Sequence, residues 1–293
     1  MGEAAMIAHE TLADGFVFAE APRADNDGSV CFSDLTGGGI YRWRPGGVET
    51  VLPERLWVGG IVLDESGAVV CSGRGGLAVV PPGAGVARPL LSQIDGQPVL
   101  AVNDIEADGR GGLFGGTVDF PAILERGEPP QPGVLFHLSP EGKATVLREG
   151  VAVSNGMGFS PDGRIFYHSI SLSGIWAYDI GADGMPRNPV LFAAREDCDG
   201  LAVDQEGGIW VACWSTGEVI RFRPDGVIDR TVTFPGLAVT GLGFGGKDLT
   251  ELYVGLGTLG GEAGPGGLAR LRTDVPGLRE GRTRLDAALI ARA

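Results

Sequence analysis

Short apolar runs, each broken by an acidic, glycine-containing turn, recur from one end of the chain to the other. Asp27-Gly28 leads through Val30-Cys31-Phe32-Ser33-Asp34 into Gly39-Ile40-Tyr41-Arg42-Trp43. Asp64-Glu65-Ser66-Gly67 leads through Ala68-Val69-Val70 into Gly76-Leu77-Ala78-Val79-Val80. The same order returns at Asp108-Gly109, Pro161-Asp162-Gly163, Asp204-Gln205-Glu206-Gly207 and Gly245-Gly246-Lys247-Asp248. Runs this short, bounded in this way, predict strands. Asp suits the turns because it bonds its own backbone, and Gly because it accepts positive φ. Six such units can be followed, at the spacing of roughly 40 to 50 residues typical of a propeller blade. The expectation is an all-β, six-bladed β-propeller with a central channel. One blade cannot bury both of its faces, so the units must stack, and a closed ring leaves few open edges. No stretch carries a convincing amphipathic-helix period. Residues 121–132 are expected to be a polar surface insertion in the third blade. No linker divides the chain, so residues 1–293 are expected to form a single propeller domain.

Composition narrows the function. The 293 residues include 51 Gly and 19 Pro, without the three-residue period of collagen, and a hydrophobic content of 43% excludes a disordered chain. A formal charge of −14 argues against a nucleic-acid partner, whose phosphates need a basic footprint, and against an anionic membrane surface. Cys31, Cys71, Cys198 and Cys213 form no C-x-x-C pair and are expected to be free and reduced. Met1-Gly2-Glu3-Ala4-Ala5 lacks a signal pattern, and no apolar run approaches the roughly 20 residues that span a bilayer. A cytoplasmic protein is expected.

Candidate chemistry lies where an acid or amide precedes an apolar strand pattern. These positions are Phe18-Ala19-Glu20, Val102-Asn103-Asp104, Ser154-Asn155-Gly156 and Cys198-Asp199-Gly200. One polar residue per blade, at one point of the repeat, converges on the channel. Glu20, Asn155 and Asp199 are the candidate ligands of one divalent cation. Two carboxylates balance its charge, and an amide oxygen adds a neutral hard donor. Asn103 is a candidate for coordination or for donation to a substrate oxygen, while Asp104 is expected to stabilise a strand end. Gly59-Gly60 and Thr240-Gly241 occupy the remaining blades and are expected to leave the channel open there. Gly241-Leu242-Gly243-Phe244-Gly245-Gly246 fits G-x-G-x-x-G but precedes a strand rather than a helix, so a dinucleotide site is not expected. No G-x-S-x-G elbow exists. His9, His137 and His168 are scattered without cysteine partners at zinc spacing; His168, in a strand, could reach the channel. Trp57, Trp176, Trp210 and Trp214 are expected in blade packing, with the channel mouth as the alternative for Trp57 and Trp214.

The run Asp199-Gly200-Leu201-Ala202-Val203-Asp204-Gln205-Glu206-Gly207-Gly208-Ile209-Trp210-Val211 resembles a family signature. So do Ser154-Asn155-Gly156, Val219-Ile220-Arg221-Phe222 and Phe244-Gly245-Gly246-Lys247-Asp248. The chain is similar to the senescence marker protein (regucalcin), gluconolactonase and luciferin-regenerating enzyme family, over nearly its whole length. The resemblance implies a divalent ion held by Glu20, Asn155 and Asp199, with Asn103 touching substrate or metal. It also implies hydrolysis of a lactone to a hydroxy acid. Ca²⁺ is the foremost ion, with Zn²⁺, Mn²⁺, Mg²⁺ and Fe²⁺ as alternatives. Asp199 is then the candidate general base. Sugar lactonases of this kind often carry Arg two residues before the third-blade Asn, where this chain has Ala101. Some also carry an acid where Asp119 or Phe120 falls. Losing the Arg fork predicts a less polar lactone, with Ala101, Asp119 and Phe120 near substrate. The alternatives are a phosphotriesterase-like hydrolase on the same site and a non-catalytic metal-binding propeller.

Overall fold

The computed structural model describes residues 9–259, 264 and 266–292; the Met1–Ala5 stretch considered above lies outside them. Six antiparallel sheets follow one another along the chain as the blades of a β-propeller. Their innermost strands are Ala19–Ala24, Ile61–Asp64, Ala101–Ala107, Val153–Phe159, Cys198–Val203 and Leu237–Gly245. The expected turns join first to second strands. Gly28, Gly67, Gly163, Gly207 and Gly246 all sit at positive φ. In blade 2 the Gly67 amide donates to Asp64 O, and in blade 5 Gly207 donates to Asp204 O.

Two features were not legible as strands. His9–Phe16 pairs antiparallel with Gly266–Arg272, so the first described residues supply the outer strand of the last blade and close the ring. The segment after Arg272 then runs beneath the blades. Leu278 N donates to Val203 O of blade 5, Arg284 N to Gly111 O of blade 3, and Glu65 N of blade 2 to Thr283 O. Arg282–Thr283 pairs in parallel with the innermost strand of blade 2. A short helix, Ala287–Arg292, follows; Asp286 Oδ1 accepts from Ala288 N at 2.8 Å and caps it. The insertion in blade 3 is more ordered than a polar loop. Pro121–Arg126 winds into one π-helical turn that buries Ala122 and stops at Gly127, φ 65°.

Hydrophobic burial lies between blades. Val70, Leu77 and Val79 of blade 2 pack on Val102, Ile105 and Phe136 of blade 3. Trp210 and Val219 of blade 5 pack on Leu242, Phe244 and Leu252 of blade 6. The four cysteines are buried and free, acting as small apolar fillers. No helix of the described residues is long and apolar enough to cross a membrane.

Candidate active site

The innermost strands share an irregularity at one end. The ladder slips by one residue between Val102 and Ile105, Ser154 and Met157, Cys198 and Leu201, and Val239 and Leu242. Each slip is a bulge of two unpaired residues: Asn103-Asp104, Asn155-Gly156, Asp199-Gly200 and Thr240-Gly241. A bulge re-aims its side chain, so an acid or amide there can leave the pleated surface. Blade 1 differs. Its slip falls between Glu20 and Arg23, which makes Ala21-Pro22 the bulge, with Ala21 at φ 51°. Glu20 therefore stands one position ahead of Asn103, Asn155 and Asp199, not at the identical point of the repeat.

The side chains nonetheless meet. Asn103 Nδ2 donates to Asn155 Oδ1 at 2.5 Å and to Ser154 O at 2.8 Å. Asn155 Nδ2 donates to Ser171 Oγ at 2.7 Å, and Ser171 Oγ to Cys198 O at 2.5 Å. The chain of bonds ends beside Asp199. Both hydrogens of the Asn103 amide are engaged, so its free group is the acceptor Oδ1 and not a donor. Glu20, Asn103, Asn155 and Asp199 are all buried. Burial pushes the Glu20 carboxyl well above its ordinary range, and the charges of Asp199 and Asp104 push it further. Asp199 is raised for the same reasons, burial first and then Asp104 and Asp197. Among the described residues no three of His, Cys, Asp and Glu form a ready-made ligand group. What fits a cation is a mixed set, two like-charged buried carboxylates and amide oxygens, whose mutual repulsion a divalent ion would relieve.

The small residues of the other blades serve close packing rather than open space. A Cβ at Gly59 would collide with the Asn103 amide oxygen, and one at Gly60 would lie 2.9 Å from Asp104 Cα. A Cβ at Gly241 would meet Pro22 Cδ at 2.7 Å. Hydroxyls, unmarked as functional in the sequence, tie the chain together at this level, two of them between blades and Ser72 within blade 2. Ser33 Oγ donates to Val58 O at 2.6 Å, Thr240 Oγ1 donates to Ala19 O at 2.5 Å, and Ser72 Oγ accepts from Gly60 N at 2.8 Å. Their signal was a Ser or Thr in or just after a strand of the repeat, a pattern too common to single out.

Phe18, Trp57, Ala101 and Val153 each lie two residues before Glu20, Gly59, Asn103 and Asn155. With Leu35, Val118 and Phe120 they form one apolar cluster. Trp57, at φ 65°, stands 5.9 Å from the Phe120 ring centroid and 4.4 Å beneath the Arg74 guanidinium. Ala101 is fully buried in this cluster, so the room a methyl leaves is taken by neighbours. Asp119 turns to its own loop: it accepts from Ala122 N at 3.1 Å and Gln131 N at 3.3 Å, with Arg126 at 3.8 Å. Trp214 is exposed. His168 is fully buried against Phe166 and Tyr178, with Nε2 2.8 Å from Ser154 Oγ. Burial, aided by Arg148, lowers its pKa to about 3, so it is neutral and holds Ser154.

The sequence profile described as the SMP-30/Gluconolactonase/LRE-like region matches residues 18–258. Regucalcin from Danio rerio is 30% identical over 244 residues, covering 78% of this chain and 79% of that protein. A 6-deoxy-6-sulfogluconolactonase from Pseudomonas putida is 31% identical over 232 residues, covering 76% and 77%. Among solved structures, a calcium-binding regucalcin from Agrobacterium tumefaciens superposes with a TM-score of 0.83 at 21% identity, over 97% of this chain and 100% of that one. A luciferin-regenerating enzyme superposes with a TM-score of 0.80 at 24% identity, over 95% and 99%. These superpositions bear on the fold alone.

Proposed function

The chain belongs to the SMP-30/gluconolactonase/LRE-like family, and from that premise we propose that it is a divalent-metal-dependent lactonase opening a cyclic ester to a hydroxy acid. The observation that carries the proposal is the convergence of Glu20, Asn155 and Asp199 with Asn103 at one end of the innermost strands, beside an apolar wall. The relative named as a 6-deoxy-6-sulfogluconolactonase supports the reaction class.

Glu20, Asn155 and Asp199 would hold the ion; their hard oxygens suit Ca²⁺, Mg²⁺ or Mn²⁺, and calcium is foremost because a solved structure of the same fold is a calcium-binding regucalcin. A bound divalent ion supplies Lewis-acid polarisation of the ester carbonyl and stabilisation of the charge that develops on it. The chain does the rest. Ser171 fixes the Asn155 amide so that Oδ1 faces Asn103. Asn103 Oδ1 accepts a hydrogen bond from a substrate hydroxyl or joins the ligand set. Asp199 takes a proton from the attacking water. Trp57 and Phe120 form a wall that would shelter an alkyl or aryl substituent from water. A polyhydroxylated ring placed there would bury hydroxyls without partners, at roughly 1–3 kcal/mol each, so the reading favours less polar lactones over gluconolactone.

The test combines metal analysis of the purified protein with a lactone panel, on wild type and Asp199→Asn. Expected are a divalent ion near one equivalent, turnover lost on chelation and restored by the ion, and at least a hundredfold loss in Asp199→Asn. Near-wild-type hydrolysis by Asp199→Asn with metal present would refute both roles of that residue.

A further inference from the structure

At the other end of the innermost strands lies a cavity of about 360 Å³, a size suited to a small ligand. It opens between blades 3, 4, 5 and 6 and the segment that crosses beneath them. Its walls are apolar: Met157, Phe159, Leu201, Phe244 and Leu278. Glu106, from the end of the blade 3 strand, and Glu280, from the crossing segment, also line it.

The charges behind these two acids are unbalanced. Arg23 Nη2 lies 3.2 Å from Glu106 and 3.8 Å from Asp104, and Nη1 lies 3.4 Å from Glu280. One guanidinium thus faces three carboxyl groups, and Glu106, which burial raises to about 8, is ionised for the most part only above that pH, as in the titration below. Arg23 cannot swing toward the cavity to serve it better, because Nε donates to Ile61 O at 2.8 Å and Nη2 to Ile105 O at 3.3 Å. The Glu106 and Glu280 side chains keep 10% and 16% of their surface accessible, and each carboxylate has more acceptor sites than one arginine fills. Asp108, Arg110 and Arg279 also line the cavity, but each is engaged: Asp108 with His137 at 2.7 Å, Arg110 Nη2 with Ala182 O at 3.2 Å and Arg279 with Asn26.

We propose that this cavity binds a small organic cation with an apolar body, its ammonium or amidinium end set between Glu106 and Glu280 and its hydrocarbon against the Met157, Phe159 and Leu278 walls. Charge complementarity selects a cation over an anion. The apolar walls select an alkyl- or arylalkyl-ammonium over a bare metal ion. The site is separate from the one at the bulges and does not rest on the lactonase reading.

The test is calorimetric titration of the full chain at pH 8.5 with n-hexylammonium, 1-hexanol and hexanoate. The ammonium is expected to bind saturably and at least tenfold more tightly than the alcohol, with hexanoate weakest. Glu280→Gln, in the crossing segment where no strand ladder depends on it, is expected to remove most of that preference. Glu106→Gln should do the same if it folds. Asp199→Asn is expected to bind the ammonium unchanged. Equal affinity for alcohol and ammonium would overturn the proposal, as would a preference that survives Glu280→Gln or one abolished by Asp199→Asn.

Discussion

Gly200→Ala should damage both the fold and the site, through one steric contact. Gly200 has no positive φ, so its backbone would accept alanine. The obstacle is the next blade: a Cβ would lie 2.6 Å from Gly241 Cα and 2.7 Å from Thr240 O. Ordinary carbon contacts are about 3.5–4.0 Å, and both obstructing atoms are main chain. The innermost strands of blades 5 and 6 must therefore part by about an ångström. Overpacking of this kind costs about 1–3 kcal/mol, and the unyielding neighbours place this site at the upper end. At roughly 2 °C per kcal/mol for a chain of this size, the melting temperature should fall by about 6 °C. Because Asp199 is the adjacent residue, metal affinity should fall at least tenfold. Gly163→Ala is the control. Its φ is +67° with nothing within 4 Å, so it should lose only the roughly 1–2 kcal/mol of left-handed strain, with metal affinity intact. Calorimetric melting and metal titration of both variants decide it. A change of less than about 1 °C in Gly200→Ala, with unchanged metal affinity, would refute the account of glycine as the spacer between blades.

Three further outcomes follow from the same structure. Burial raises Asp104 to about 6 and Glu106 to about 8, against ordinary values of 3.8 and 4.5, with Arg23 only partly offsetting it. The folded state then binds more protons than the unfolded one, so this contribution is present in full below about pH 4 and is lost as pH rises through 6 and then 8. Urea unfolding in chelator should show that decline, and Glu106→Gln should flatten its alkaline part. Arg221→Met leaves Asp204, buried and 2.7 Å from Nε, without its cation, and should lower unfolding free energy by about 3–5 kcal/mol in denaturant titrations. Trp57→Leu should reduce kcat/KM for an alkyl-substituted lactone by roughly tenfold, with a smaller effect on gluconolactone; equal loss on both would mean that the wall does not select substrate.

The blade count was legible in the sequence because each blade writes itself locally. Alternating apolar runs and Asp/Gly turns such as Asp204–Gly207 are decided by nearest neighbours, and their repetition requires stacking. In the sequence, each residue of the candidate site stands out as an acid or amide before an apolar strand pattern at blade spacing, with Asn155 and Asp199 each before a glycine. Tertiary structure decided what depended on distant partners. His9–Phe16 became the outer strand of the last blade only because Gly266–Arg272 offered it an edge. Glu20 departed from the shared register because Ala21, not Glu20, took the bulge. Gly59 and Gly241 look like empty positions in a one-dimensional reading, yet each is pressed by the chain of a neighbouring blade. The charge cluster of Arg23, Asp104, Glu106 and Glu280 joins residues from three separate parts of the chain. No local pattern reports such a contact, because the free energy that fixes it comes from burial between elements and not from the conformational preference of any one of them.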